Sequence, residues 1–479
     1  MQPVQASRHI RGLLWLAALA VFCGSLTWFF MDSYQQDGGY HYLFARWGWK
    51  YPALFVGVWA RPLFTFLYAI PAHFGYVPAR LFTVVIVLVT AWQTWKLAAD
   101  LKLDRPELSI PFVILQPSFF LISADTMTEP LFALVFVIAL RLHTLGYLKI
   151  GMLVASMMIL ARPEGFFLGA LWGVWVLLDK RDPRPLIRKI PQTLLLASGA
   201  FAWWLVGYLI TRDPRHIQHS WPPDWTTTGA TYGKGPIWTY VALLPEIVGP
   251  LLLVPFLVGL VLLLMRKRLG TITSSFLALL VLHSVFRTFG MFGSAGYARY
   301  FVCVAPAMAI ATLEGWNTIA AALSRLPRVA LTLLGAVVIA ASAYLCFLYV
   351  DAMPWSRDAR AIAETHSWFQ EHPQPVQKLA FSQAYMCIAF DCNPMGQPQF
   401  SSDRERTLKS LREAPRGTLI FWDMSTGPGW YGVKADDIEA IGYKRLRSKA
   451  YKLEAYIMER KWLGFGGPYE QEFHLLYKE

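Results

Sequence analysis

Eighteen nearly uninterrupted apolar residues, Leu13 to Phe30, stand near the start of the chain, and comparable runs recur as far as residue 350. A helix needs about 20 apolar residues to cross the hydrocarbon core of a bilayer. Every backbone polar group there must be satisfied internally, so helices and closed barrels are the only structures that span it. The runs therefore predict transmembrane helices at roughly 12–31, 79–98, 108–124, 129–146, 150–162, 164–178, 190–210, 241–265, 271–290, 297–318 and 329–350. That makes about eleven, with the two short segments either side of Arg162 forming a hairpin. Charged residues are only 16% of the chain, against about 25% in soluble domains, which supports an integral membrane protein. The first run is long for a cleaved signal peptide and no A-x-A site follows it. Phe22 before Cys23 spoils a lipoprotein box, so a retained signal anchor is expected.

Orientation follows from the excess of Lys and Arg in cytoplasmic loops. "SRHIRG", "KLAADLKLDRPE", "DKRDPRPLIRK", "MRKR" and "SRLPR" fall on one side. That side is read as cytoplasmic, with the amino terminus inside and the carboxyl terminus outside. The loops 32–78, 125–128, 211–240 and 287–297 are then external. Much of the net charge of +13 lies in such short loops, so nucleic acid is not an expected partner. "YPALFVGVWARPLFTFLYAIPAHFG" is nearly apolar enough to span, but Arg61 and several prolines interrupt it. Counting it as a span would also invert the charge bias downstream. One or two helices lying along the membrane surface are expected within 32–78.

The composition changes near Asp351. "WSRDARAIAETHSWFQEH" reads as an amphipathic helix, "QKLAFS", "GTLIFWD" and "AYIMER" as short strands, and "DIEAIGYKRL" as a helix leading to a strand. The expected fold is thus an α-helical polytopic membrane domain, 1–350, followed by a small extracytoplasmic α/β domain, 351–479. Cys23, Cys303 and Cys346 lie in apolar runs and read as inert. Cys387 and Cys392 lie five apart in the exported domain, where an oxidising compartment allows a disulfide.

Charge at or near membrane depth is costly, so it marks candidate chemistry. Asp32 and Asp37 follow the first helix. A carboxylate there can take a proton from an attacking hydroxyl or bind a divalent cation. On a helix Asp37 and His41 would share a face, although Asp32, nearer the helix end, needs no more than a capping role. In "SADTMTEPLFA", Asp125 and Glu129 read as a second acidic site, with Asp125 a further position for a cation. Thr126 or Thr128 would cap the next helix, with Pro130 in its first turn. Arg162 and Glu164 in "LARPEGFFLG" are expected to satisfy each other and the broken backbone of the hairpin, with a substrate role secondary. The loop 211–238 mixes Arg212, Arg215, His216, His219 and Lys234 with Trp221, Trp225 and Trp238. Cations bind phosphate and aromatic faces stack on sugars. In "FRTFGMFGSAGYARYF", Arg287 and Arg299 stand near the external helix ends, and the glycines would let the backbone approach a ligand. Snorkelling to lipid phosphate would also account for Arg299.

Taken in order, "DGGYHYLFAR", "RPLFTFLYAIP", "MTEPLF", "ARPEG", "YGKGPIWTY" and "GYARYF" resemble a membrane glycosyltransferase of the GT-C superfamily. The likeness is to the bacterial branch similar to dolichyl-phosphate-mannose–protein mannosyltransferases and lipid A aminoarabinose transferases, and it spans roughly residues 10–350. It implies that Asp37, in the first external loop, is the catalytic acid. Family loops often show Asp-Glu there, whereas Gly38 follows Asp37. It implies a further acidic site at Asp125, and a donor-phosphate site at Arg299 and Tyr300 with Arg287, Lys234 and Arg212 as neighbouring cations. The implied donor is a sugar on a polyprenyl phosphate. The implied acceptor is a glycan, lipid or protein hydroxyl outside a bacterial inner membrane. A transporter or flippase of a lipid-linked sugar would use the same cations and aromatics, but such proteins often carry inverted repeats and none is visible. A non-catalytic scaffold would not need the acids and cations that cluster on one side.

Overall fold

The computed structural model describes residues 3–29, 36–221, 233–267, 269–292, 294–351, 354–401, 403–453 and 469–479. It divides into two compact units. One comprises Met1–Phe29 and Phe44–Tyr349; the other comprises Phe30–Leu43 and Val350–Glu479.

The first unit is helical. Among the described residues five helices are long and apolar enough to cross a membrane: His9–Thr27, Tyr76–Asp100, Leu186–Thr211, Gly270–Phe289 and Arg328–Tyr349. Shorter apolar helices cover Leu148–Ala161, Glu164–Leu178 and Leu253–Met265. Large apolar side chains such as Val329, Val337 and Tyr344 are well exposed on the last long helix, as lipid-facing residues would be.

Several expected runs are broken, each for a local reason. The run 108–124 forms two helices, Ser109–Ile114 and Pro117–Ile122. Gln116 between them is extended, because proline disfavours the helical conformation in the residue before it. The run 241–265 divides into Thr239–Ala242, Leu244–Val248 and Leu253–Met265. Gly249 separates the last two at φ +106, in a region open mainly to glycine. The run 297–318 opens as a 3₁₀ segment, Ala298–Val304, before the helix Ala305–Ala322. Leu253–Met265 and Ala305–Ala322 then pack backbone to backbone. A Cβ at Gly259 would overlap the Ala311 carbonyl, and one at Gly315 the Pro255 carbonyl. Small residues allow this approach, which is how helices associate where no hydrophobic force separates them from lipid.

The expected surface segment of 51–75 is a 3₁₀ turn, Pro52–Phe55, and a helix, Pro62–His73. Pro62 opens that helix, where a missing N–H costs nothing.

The second unit carries a four-stranded sheet in the order β1-β2-β4-β3. β1 (Lys378–Phe381) runs parallel to β2 (Thr418–Asp423). β4 (Tyr469–Lys478) is antiparallel to both β2 and β3 (Tyr443–Leu453). The amphipathic helix appears at Pro354–Glu371, and "DIEAIGYKRL" forms the helix Ala435–Glu439 before β3. "AYIMER" lies outside the described residues. Ile420, Trp422, Leu476, Leu408 and Ile438 form the core between the sheet and its helices.

Candidate functional site

Arg162 occupies the break in the expected hairpin. The helix Met158–Ala161 stops because Pro163 holds Arg162 in an extended conformation. Glu164 then opens the helix Glu164–Leu178. The turn lets the Arg162 guanidinium grip Glu164 with two hydrogen bonds, Nη2 to Oε1 at 2.8 Å and Nε to Oε2 at 3.1 Å. This forked geometry is the strong one for an arginine and a carboxylate. The mutual satisfaction read from sequence is thus present, but it is only part of the arrangement.

Arg162 Nη1 also lies 2.8 Å from Glu129 Oε1 and donates to Thr128 Oγ1 at 3.2 Å. Thr128 precedes the helix Glu129–Thr144 but makes no side-chain cap; Pro130 stands in the first turn as expected. The capping role expected of Thr128 is corrected accordingly, since the hydroxyl receives Arg162 instead. Glu129 is fully buried and has a second cation, with Arg299 Nε 3.5 Å from the same oxygen. The Arg299 guanidinium lies over the Tyr297 ring at 4.9 Å and Nη1 donates to Met127 Sδ at 3.7 Å. His283, on Gly270–Phe289, stacks on Tyr300 with ring centres 4.7 Å apart and places Nε2 4.0 Å from Glu164 Oε1. Residues from four distant stretches therefore meet in one buried cluster.

The cluster extends to Arg287. Tyr240 packs beside His283 at 5.8 Å and its hydroxyl is 3.4 Å from Ser294 Oγ. The Ser294 carbonyl accepts from Arg287 Nη1 at 3.2 Å, and the Gly233 carbonyl does so at 3.4 Å. Glycines do permit close approach here, but to an arginine. A Cβ at Gly235 would overlap Arg287 Nε, and one at Gly296, whose φ is +77, would sit 3.3 Å from it. Lys234 and Arg212 are exposed, and none of the described side-chain contacts ties them to this cluster.

Asp125 takes a different place. Its Oδ1 accepts from the Thr126 N–H at 2.7 Å and from the Tyr76 hydroxyl at 3.4 Å. Beside it Arg80, only 1% exposed, donates through Nε to the Ala124 carbonyl at 2.5 Å and through Nη1 to the Thr27 carbonyl at 3.5 Å. Sequence reasoning passed over Arg80, His283 and Tyr240. A lone arginine inside an apolar run was the available signal for the first. A single His or Tyr in such a run is indistinguishable from core.

In the second unit Asp37 is half-buried in the first turn of the helix Gln36–Trp47, where a negative side chain complements the positive end of the helix dipole. His41, one turn on, is buried. Asp32 lies outside the described residues, as do Trp225 and its neighbours. Cys387 and Cys392 are joined as a disulfide, whereas Cys23, Cys303 and Cys346 are buried free thiols. Among the described residues no three His, Cys, Asp or Glu side chains gather as metal ligands. The cation reading of Asp37 and Asp125 gains no ligand set from them.

A polytopic helical unit with a buried arginine–glutamate cluster, followed by a small mixed sheet in a separate unit, is a fold found in solved structures. ArnT from Cupriavidus metallidurans in the apo state aligns over 97% of this chain and 97% of its own, with 12% identity and a TM-score of 0.60. The same protein bound to undecaprenyl phosphate aligns over 97% of each chain, with 13% identity and a TM-score of 0.61. The arabinofuranosyltransferase AftD from Mycobacteria aligns over 96% of this chain but only 40% of its own, with 14% identity and a TM-score of 0.49. No family model matches the sequence and no curated protein does. The likeness in fold to ArnT thus covers nearly the whole chain and extends beyond residue 350, where the resemblance read from sequence ended.

Proposed function

We propose that the chain is a membrane glycosyltransferase that moves a sugar from a polyprenyl phosphate to an acceptor hydroxyl. The observation that carries the reading is the buried cluster of Arg162 and Arg299 around Glu129 and Glu164, with Arg287 linked to it through Ser294, Tyr240 and His283. Holding three guanidinium groups out of water is costly unless each is compensated. Arginine's planar fork of donors matches the geometry of a phosphate group, which suits it to that ligand. The fold is that of ArnT, one structure of which holds undecaprenyl phosphate, and this supports a lipid phosphate as the ligand class.

In the proposed reaction the acceptor oxygen attacks the anomeric carbon and the sugar–phosphate bond breaks. The departing phosphate keeps the bonding electrons, stabilised by the arginines with Arg299 foremost. Asp37 receives the acceptor proton, and attack from the face opposite the phosphate inverts the anomeric centre. The proposed orientation places the amino terminus in the cytoplasm of a bacterium and residues 351–479 outside. The acceptor is then a glycan, lipid or protein on that side.

Incubation of the purified protein in proteoliposomes with a radiolabelled polyprenyl-phosphate sugar and cell-envelope acceptors tests the proposal. Label appearing in an acceptor is expected. Label that crosses the bilayer still on its lipid carrier would replace transferase with flippase.

A further inference from the structure

The acidic stretch at Asp37 belongs to the same compact unit as the carboxyl-terminal sheet. Gly39 is buried against the helix Ala384–Ala389. A Cβ at Gly39 would stand 2.9 Å from Ala384 Cβ, 3.4 Å from Tyr385 Cζ and 3.5 Å from Ile388 Cδ1. The first turn of Gln36–Trp47 therefore sits on this short helix with no room for a side chain. The disulfide staples the far end of the same helix, joining Cys387 to Cys392.

Tyr40 makes the second contact. Its hydroxyl shares a hydrogen bond with that of Tyr431, nearly four hundred residues away in the chain. Burial, then Tyr431, Asp37 and Asp423, hold the Tyr40 phenol well above its usual 10, so it stays protonated at neutral pH. Tyr431 is itself anchored. Its N–H donates to the Thr426 carbonyl at 3.2 Å, and its ring packs on Phe400 at 5.2 Å. Thr426 is fixed by Asp423 at the end of β2, whose Oδ1 accepts the Thr426 N–H at 2.8 Å and whose Oδ2 accepts its hydroxyl. Ser382 on the neighbouring strand end also donates to Asp423, at 2.6 Å. A run of contacts thus leads from the sheet through Thr426 and Tyr431 to Tyr40, three residues from Asp37 and on the same helical face.

We propose that the carboxyl-terminal domain positions the candidate base, with Tyr431 and Ala384 holding Tyr40 and Gly39 so that the Asp37 carboxylate has one orientation. Tyr40, Tyr431, Gly39 and Ala384 are positioning residues and touch no reacting atom. The inference rests on the assignment of Asp37 as the base.

Steady-state transfer by the full-length protein tests it. Tyr40→Phe and Tyr431→Phe should each lower kcat about tenfold, the rate equivalent of one hydrogen bond, and leave KM for the donor unchanged. The double variant should be no slower than either single one, since both remove the same contact. Gly39→Ala should lower kcat, and Ala384→Gly in the same chain should restore it by removing the methyl that the new Cβ meets. Wild-type kcat in the phenylalanine variants, losses that multiply in the double variant, or failure of the glycine swap to rescue would each overturn the proposal. Asp37→Asn run alongside separates the two ideas. If Asp37→Asn is inactive while Tyr431→Phe is normal, positioning alone fails. If Asp37→Asn is active, the base assignment fails and the positioning role with it.

Discussion

Arg162 is bound on two sides by buried carboxylates, and its removal is the most damaging single change predicted for the cluster. Taking away one partner of a buried ion pair costs about 3–5 kcal/mol, because the other charge is left unpaired. Arg162→Gln should therefore sharply lower the midpoint of thermal unfolding in detergent. Arg162→Lys should recover only part of that loss, since an ammonium cannot form the fork with Glu164. An unchanged midpoint for Arg162→Gln would mean that the contacts with Glu129 and Glu164 do not hold the fold. At Arg299 the expected effect is on ligand binding. Arg299→Lys should weaken donor binding about tenfold, as one charge-assisted hydrogen bond is worth roughly 1.5–3 kcal/mol. Titration of the purified variant with a polyprenyl phosphate would read this, and wild-type affinity would remove Arg299 from the site. The pairing of Arg162 with Glu164 was legible because the two stand two residues apart beside a proline. The link from Arg162 to Glu129 and on to Arg299 was not, because only the packing of distant helices creates it.

Breaks in the expected helices also set what the sequence could reveal of the elements. Hydrophobic periodicity located the apolar runs, but Pro117, Gly249 and the 3₁₀ stretch Ala298–Val304 divide runs that were read as continuous. The strand β4 was not anticipated. "YEQEFHLLYK" mixes charge with apolar residues, and its place between β2 and β3 depends on long-range pairing. Backbone contact at Gly259 and Gly315 predicts a steric limit. Gly259→Leu should push Leu253–Met265 away from Ala305–Ala322 and cost at least the 1–3 kcal/mol typical of overpacking; a folded variant with normal thermal stability would contradict the packing. In the sheet, His474 is buried with its ring stacked on Trp422 at 5.1 Å and Nδ1 2.9 Å from Ser448 Oγ. Burial, and then nearby Arg445, lower its pKa from the usual 6.5. The unfolded chain thus binds a proton that the folded histidine resists. Its contribution to stability should be full above about pH 6.5 and fall as the pH drops through that value. Hydrogen-exchange protection factors in β3 and β4, which are corrected for the intrinsic exchange rate, should fall between pH 7 and 5, and His474→Gln should flatten that change.

At the scale of the whole molecule, the polytopic fold was legible because the bilayer demands long apolar helices and few sequences supply them by accident. The composition change near Asp351 likewise marked the start of a second kind of structure. What composition could not reveal is that Phe30–Leu43 clusters with the carboxyl-terminal unit, since that grouping rests on contacts such as Gly39 with Ala384. The proposed orientation predicts that a periplasm-dependent reporter fused after Glu479 is active and a cytoplasm-dependent one is silent. The reverse pattern would place Asp37 on the wrong side for an exported acceptor. The central claim, a transferase with Asp37 as its base, is tested most directly by Asp37→Asn. The substitution keeps the side-chain shape and removes the basic carboxylate. A general base typically contributes 10²–10⁴-fold. Single-turnover transfer from a radiolabelled polyprenyl-phosphate sugar should therefore fall by about that factor while donor binding persists. Transfer at near the wild-type rate by a stable, donor-binding Asp37→Asn protein would contradict the account.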